Sequence, residues 1–243
     1  MRATGVVLAA GRSERFGADK VFVELAGLPV LLHSVRAFLA AQAVEELVIV
    51  TRPGAEFRTM ELLQDLAFPV RVVRGGARRR DSSLAGVEAA QGTYVLIHDA
   101  ARPLVSPELI RRVLAAAERH GAAVPVVPVA DTLRYVEAGF LRPETLPRAR
   151  LSAIQTPQGF RRDLLLSALA EADADLPDDA AALLARGLPV AAVPGDPTNL
   201  KLTYPQDLSL AALLVKFFEG RAGNAGGWAG GGSCGGRFPG SDP

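Results

Sequence analysis

The sequence predicts an α/β protein: a Rossmann-like, mostly parallel twisted sheet with helices on both faces, plus a protruding β-hairpin arm. Three observations carry this expectation. Short apolar runs recur at residues 4–9, 46–51 and 94–97, as expected of strands buried on both faces, and Val70-Arg71-Val72-Val73-Arg74 reads as a further strand. Segments of helical periodicity follow them, so strand and helix alternate four times. Over residues 131–150 the alternation stops, and a hairpin pattern with Glu137-Ala138-Gly139 at its turn replaces it.

Each element has its own local reason. Residues 4–9 run into Ala9-Ala10-Gly11, where small side chains let backbone N–H groups approach an anion; Arg15 and Lys20 follow on the same loop. Pro29 opens a helix over 30–39, and Pro53-Gly54 ends the second strand. A helix over 56–66 leads to the strand 70–74, which Gly75-Gly76 closes before a helix over 81–90. The fourth strand enters His98-Asp99-Ala100-Ala101-Arg102-Pro103, and Ser106-Pro107 has the form of an N-cap with proline at N1 for a helix to 120. A fifth strand over 123–129 contains two prolines, which point to a sheet edge or a bend. After the arm come a strand-like stretch over 152–160, helices over 162–171 and 178–186, a strand over 190–194, a loop through Lys201 and a last helix to 218. Right-handed crossovers bring the loops after residues 9, 74 and 98 to one rim, where such sheets bind ligands.

The fold is expected to occupy residues 1–219, with the arm inserted at about 131–150. Residues 220–243 hold ten of the 24 glycines and read as a disordered tail. A net charge of +1 gives no electrostatic case for nucleic acid. No apolar run approaches the roughly 18 residues of a membrane span, and the first loop interrupts any signal-peptide pattern. With Cys234 as the single cysteine, the expected compartment is the cytoplasm. Only three of the 27 basic residues are lysines, Lys20, Lys201 and Lys216; the first two stand in loop-like settings where a compact ammonium suits phosphate.

Taken singly, the motifs are weak. The first loop is neither a Walker loop nor a G-x-G-x-x-G fingerprint. The Arg78-Arg79-Arg80 run reads equally as a solvated face or as support for a nucleotide loop. Asp99 suits a polar ligand or hydrated Mg²⁺, or a plain salt bridge with a neighbouring arginine. His98 reads as structural, since neither cysteine nor further histidine is spaced to complete a metal site.

Together they resemble one family, the 2-C-methyl-D-erythritol 4-phosphate cytidylyltransferases. The resemblance rests on Leu8-Ala9-Ala10-Gly11, Arg15-Phe16-Gly17, Lys20, His98-Asp99-Ala100-Ala101-Arg102-Pro103, Asp131-Thr132, Thr156-Pro157-Gln158, Asp178-Asp179-Ala180 and Asn199-Leu200-Lys201-Leu202-Thr203. It implies a nucleotidyltransferase domain, CTP and a polyol phosphate as substrates, and Mg²⁺ held mainly by the CTP phosphates, with Asp99 as a candidate ligand. It assigns catalysis to Arg15, Lys20 and Lys201, and nucleotide binding to Ala9, Ala10, Gly11, Gly76, Arg79, Ser82 and Ala100. Asp99, Thr132, Arg148 and Thr156 would bind the second substrate, Thr132 and Arg148 arriving on the arm of a partner in a homodimer. Two positions depart from the family pattern: Asp19 replaces a common proline, and Ala77 a frequent aspartate near the nucleoside. The alternatives are a cytidylyltransferase for another polyol phosphate, such as ribitol 5-phosphate, and a nucleotide-binding regulator without turnover.

Overall fold

The computed structural model of the chain describes residues 2–11, 15–172 and 176–223. β1 (Ala3–Ala9) is followed by a small ribbon of β2 (Glu24–Leu25) and β3 (Leu28–Pro29), then α1 (Val30–Ala41), β4 (Glu46–Thr51), α2 (Glu56–Leu63), β5 (Val70–Arg74), α3 (Arg79–Ala89) and β6 (Tyr94–Asp99). Next come α4 (Pro107–His120), β7 (Ala122–Pro128), the arm strands β8 (Arg134–Glu137) and β9 (Phe140–Thr145), and a single 3-10 turn over Arg148–Arg150. β10 (Ser152–Ile154), β11 (Gln158–Arg161), α5 (Arg162–Glu171), α6 (Ala180–Leu184), β12 (Ala191–Pro194) and α7 (Pro205–Gly223) complete the described elements.

The main sheet runs β5-β4-β1-β6-β11-β7, with β1 parallel to both β4 and β6. The chain leaves β1 in one direction towards β4 and returns on its other side as β6. That reversal opens a crevice at the carboxyl ends of β1 and β6. Side chains alternate across β1: Ala3, Val7 and Ala9 join the core under α1 and α4, while Val6, Leu8 and Ala10 join the one under α3 and α5. At the start of α4, Ser106 accepts the Leu109 N–H at 3.2 Å.

Two features differ from the sequence expectation. β11 inserts antiparallel between β6 and β7, so the otherwise parallel sheet is mixed at this point. β7 is no edge strand, because Val126 pairs with Ile154 on β10 and with Pro194 on β12. Pro125 within it still contributes its carbonyl, which accepts the Gln155 N–H at 2.8 Å.

The arm is a hairpin with Ala138 and Gly139 at positive φ, 50° and 84°, as a two-residue turn of this hand requires. Every residue of β8 and β9 is exposed, Tyr135, Val136, Phe140 and Leu141 included. α7 extends to Gly223, past the start of the predicted tail; residues 12–14 of the first loop and 224–243 of the tail, Cys234 among them, lie outside the described residues.

Candidate active site

The loops beyond β1, β4, β5 and β6 surround a cleft of about 670 Å³. Leu8, Ala10 and Gly11 form the β1 side of its wall, Gly75 to Arg79 and Ser82 the β5–α3 side, and Asp99, Ala101 and Lys201 the β6 side. Close packing fixes this shape: a Cβ on Gly75 would stand 2.7 Å from the Ala10 Cβ and 2.8 Å from the Ser82 Oγ. α3 begins at Arg79, two residues earlier than its periodicity suggests, and aims its N-terminus at the cleft, a setting that favours an anion.

Charges alternate along the β6 side. Asp179, whose side chain is 0% exposed, accepts Arg79 Nη2 at 2.8 Å; the same nitrogen lies 3.6 Å from Asp99 Oδ1, and Lys201 Nζ donates to Asp99 Oδ2 at 2.6 Å. Burial opposes ionisation of Asp99, but Lys201 and Arg79 outweigh it and hold the carboxyl well below the usual carboxylate range. Burial would lower the Arg79 pKa, yet Asp179 and Asp99 raise it further still, so its charge is permanent. Lys20 donates to the Leu202 carbonyl at 3.0 Å, and burial together with Lys201 pulls its pKa below the ordinary lysine value.

Lys20 and Lys201 come from residues far apart in sequence, and a third apolar cluster joins them. Phe16 from the first loop and Leu202 beside Lys201 pack with Ala211 and Val215 of α7. The Leu202 N–H in turn donates to the Ala101 carbonyl at 2.8 Å, which fixes the Lys201 segment against the end of β6.

A buried polar chain supports Asp99 from behind. His98 Nε2 lies 3.1 Å from the Arg102 carbonyl, which can only accept; Nε2 therefore carries the proton, and Nδ1 accepts from the Thr156 hydroxyl at 3.0 Å. Thr156 Oγ1 accepts the Asp99 N–H at 3.1 Å, and Asn199 Nδ2 donates to the Thr156 carbonyl at 2.8 Å. Burial pushes the His98 pKa down to about 4, so the ring is neutral at pH 7.

Ala10, Gly11, Lys20, Gly76, Arg79, Ser82, Asp99 and Lys201 therefore stand together on one cleft. Other expected residues sit elsewhere. Ala9 and Ala100 turn into the α1–α4 core, because strand alternation gives the cleft face to their neighbours Ala10 and Ala101. Thr156 is 4% exposed with its hydroxyl engaged, so it bears on the cleft through Asp99 instead of lining it. Arg15 is exposed above the Tyr204 ring, its Cζ 5.8 Å from the centroid. Thr132 and Arg148 are exposed at the base of the arm and do not line their own chain's cleft; Arg148 donates to the Ala130 carbonyl at 2.6 Å. Sequence reasoning missed Arg52, which enters the wall from the turn after β4 without any motif to mark it. Asp179 was visible only as part of a family motif.

The family profile described as 2-C-methyl-D-erythritol 4-phosphate cytidylyltransferase matches residues 3–216. The chain belongs to this family. The 2-C-methyl-D-erythritol 4-phosphate cytidylyltransferase of Acidobacterium capsulatum is 42% identical over 234 residues, covering 89% of this chain and 98% of that protein. The crystal structure of the 2-C-methyl-D-erythritol 4-phosphate cytidylyltransferase from Thermus thermophilus superposes with a TM-score of 0.76 at 39% identity, over 89% of this chain and all (100%) of that one. The bifunctional enzyme IspD/IspF of Anaeromyxobacter dehalogenans is 43% identical over 221 residues, which span 88% of this chain and 57% of that protein. The 2-C-methyl-D-erythritol 4-phosphate cytidylyltransferase family thus accounts for the α/β fold and for nearly all of the described chain.

Proposed function

We propose that this protein transfers the cytidylyl group of CTP to 2-C-methyl-D-erythritol 4-phosphate, giving 4-diphosphocytidyl-2-C-methyl-D-erythritol and pyrophosphate. The observation that carries the reading is the convergence of Lys20, Lys201 and the Lys201–Asp99 pair on one cleft, in a chain of this family. A phosphate oxygen of the polyol phosphate forms a new bond to the α-phosphorus of CTP. The bond from that phosphorus to the bridging oxygen breaks, and pyrophosphate leaves with the electron pair.

The attacking phosphate monoester is already an anion, so the reaction needs no strong general base. It needs two anions held in line against their repulsion, a task for positioning and fixed positive charge. Lys20 and Lys201 supply that charge at the α-phosphorus, with Arg15 at the mouth of the same loop. At an effective dielectric of about 20, one cation about 4 Å from a phosphate charge contributes roughly 4 kcal/mol before desolvation is subtracted. Arg79, locked to Asp179, adds a guanidinium that need not reorganise.

Asp99 is the carboxylate of the cleft wall, and no group of three or more His, Cys, Asp or Glu gathers into a metal site among the described residues. One carboxylate together with substrate phosphates is a donor set that suits Mg²⁺. In this reading Mg²⁺ is held mainly by the CTP phosphates, with Asp99 as a candidate ligand, and supplies further neutralisation of charge. The polyol phosphate is held by Asp99 on one subunit and by Thr132 and Arg148 on the arm of the other, so the working unit is a homodimer. The compartment proposed is the cytoplasm; no helix among the described residues is long and apolar enough to cross a membrane.

Pyrophosphate release measured against a panel of nucleoside triphosphates and polyol phosphates tests the assignment. The expected outcome is turnover with CTP, Mg²⁺ and 2-C-methyl-D-erythritol 4-phosphate. Preferential turnover of ribitol 5-phosphate would replace the substrate, and CTP binding without pyrophosphate release would remove the activity.

A further inference from the structure

The cleft has a second end. Lys20, Asp99 and Lys201 occupy its β1–β6 side, whereas Arg52, Gly76 and Ala77 lie beyond β4 and β5, the next strands outward. A nucleotide with its phosphates on the two lysines extends its nucleoside towards that outer end. Among the described residues the wall carries no carboxylate there, and Ala77 offers no polar side chain.

Arg52 stands at this end. Its Nη2 donates to Asp19 Oδ2 at 2.6 Å; the arginine side chain is 49% exposed and the aspartate 18%. Asp19 directly precedes Lys20, and its carbonyl accepts the Phe22 N–H at 2.9 Å, closing the turn that carries that lysine. An ion pair with its arginine half exposed adds little to folding. Its larger effect is geometric, since it joins the loop after β1 to the turn after β4 and aims a guanidinium along the wall. A guanidinium carries five N–H donors, so pairing one nitrogen with a carboxylate leaves donors for oxygen acceptors on a ligand.

We infer that Asp19 and Arg52 form a clasp across the cleft mouth: Arg52 binds the nucleoside half of the nucleotide, through ribose hydroxyl or pyrimidine carbonyl oxygens, and Asp19 is its positioning residue. This rests on reading the cleft as the CTP site. It also gives a task to Asp19, one of the two positions that depart from the family pattern.

Steady-state kinetics on the full chain tests the clasp. Arg52→Ala and Asp19→Asn are each expected to raise KM for CTP about fivefold or more, with kcat within about twofold and the melting temperature unmoved. The double variant is expected to be no worse than Arg52→Ala alone, because both changes remove one arrangement. A KM within about twofold of the wild type in either single variant, or a double variant showing the product of the two effects, overturns the clasp. Absence of CTP turnover in the wild-type chain would overturn the reading of the cleft and the clasp's ligand with it, an outcome distinct from wild-type turnover with an unmoved KM.

Discussion

Lys201 lies 2.6 Å from Asp99, and in the proposed function it is a charge that the incoming triphosphate has to draw towards itself. Arg79 remains beside Asp99 when this happens, so the carboxylate does not become an isolated buried anion. Lys201→Ala is therefore expected to cut kcat by about 10²-fold or more, as loss of a preorganised charge at a reacting group does, while unfolding free energy falls by no more than about 2 kcal/mol. Turnover near the wild-type level, or a collapse of stability of comparable size, would remove Lys201 from the chemistry. Lys20 makes a separate prediction through pH. Its ammonium is the useful form and its pKa is lowered, so kcat/KM for CTP should decline, as pH rises, earlier than an ordinary lysine would allow. Lys20→Arg should abolish that alkaline limb; an unchanged limb would assign the ionisation to another group. Both lysines were legible in the sequence, because a chain so rich in arginine uses lysine in only three places. Arg52 was not, since Thr51-Arg52-Pro53-Gly54 reads as an ordinary strand end, and only the folded sheet brings it beside Asp19.

Elements position these residues more than their own side chains do. β6 ends in His98 and Asp99, and the Thr156 hydroxyl ties both to the connection between β10 and β11. The alternation of strand and helix predicted β1, β4 and β6 well, because strands buried on both faces leave a continuous apolar run; β5, at the sheet edge with Arg71 and Arg74 exposed, was legible from its valines and the Gly75-Gly76 that follows. It could not predict that β11 enters between β6 and β7, since chain order carries no information about which gap a later strand fills. Nor could it tell Ala9 from Ala10 or Ala100 from Ala101, where a one-residue change of face decides between core and cleft. The buried His98 gives this junction a measurable signature. In the unfolded chain its pKa is near 6.5, and in the fold it is about 4, so between those values the unfolded state binds more protons. Stability should accordingly fall as pH drops from about 6.5 towards 4, by on the order of 3 kcal/mol from this group alone. Asp99, whose pKa is depressed in the fold, adds its own loss as the pH falls further through and below the ordinary carboxylate range. Denaturant melts across this window should show the slope, and His98→Gln should flatten it. An equal slope in the variant, or an imidazole that titrates by NMR near 6.5 in the folded protein, would refute the account.

For the molecule as a whole, the proposed homodimer is what would give the arm its task. Among the described residues β8 and β9 pair only with each other, and Tyr135, Val136, Phe140 and Leu141 are presented to solvent, an arrangement an isolated hairpin does not stabilise in water. If the arm delivers Thr132 and Arg148 to the partner's cleft, each active site draws residues from two chains, and defects in different chains should complement. A Lys201→Ala chain has an intact arm and a dead cleft; an Arg148→Ala chain has an intact cleft and a defective arm. Each variant alone should be nearly inactive. Unfolded together and refolded, they should form mixed dimers in which one cleft, that of the Arg148→Ala chain, meets the intact arm of its partner. With random pairing half the dimers are mixed and half of their sites are whole, so activity should recover to about a quarter of the wild-type value. Shortening the arm by removing residues 134–145 should abolish this recovery while leaving CTP binding to the cleft in place. If the mixture regains nothing although both variants fold and exchange, then Arg148 acts within its own chain or not at all, and the arm serves some contact other than the neighbouring active site.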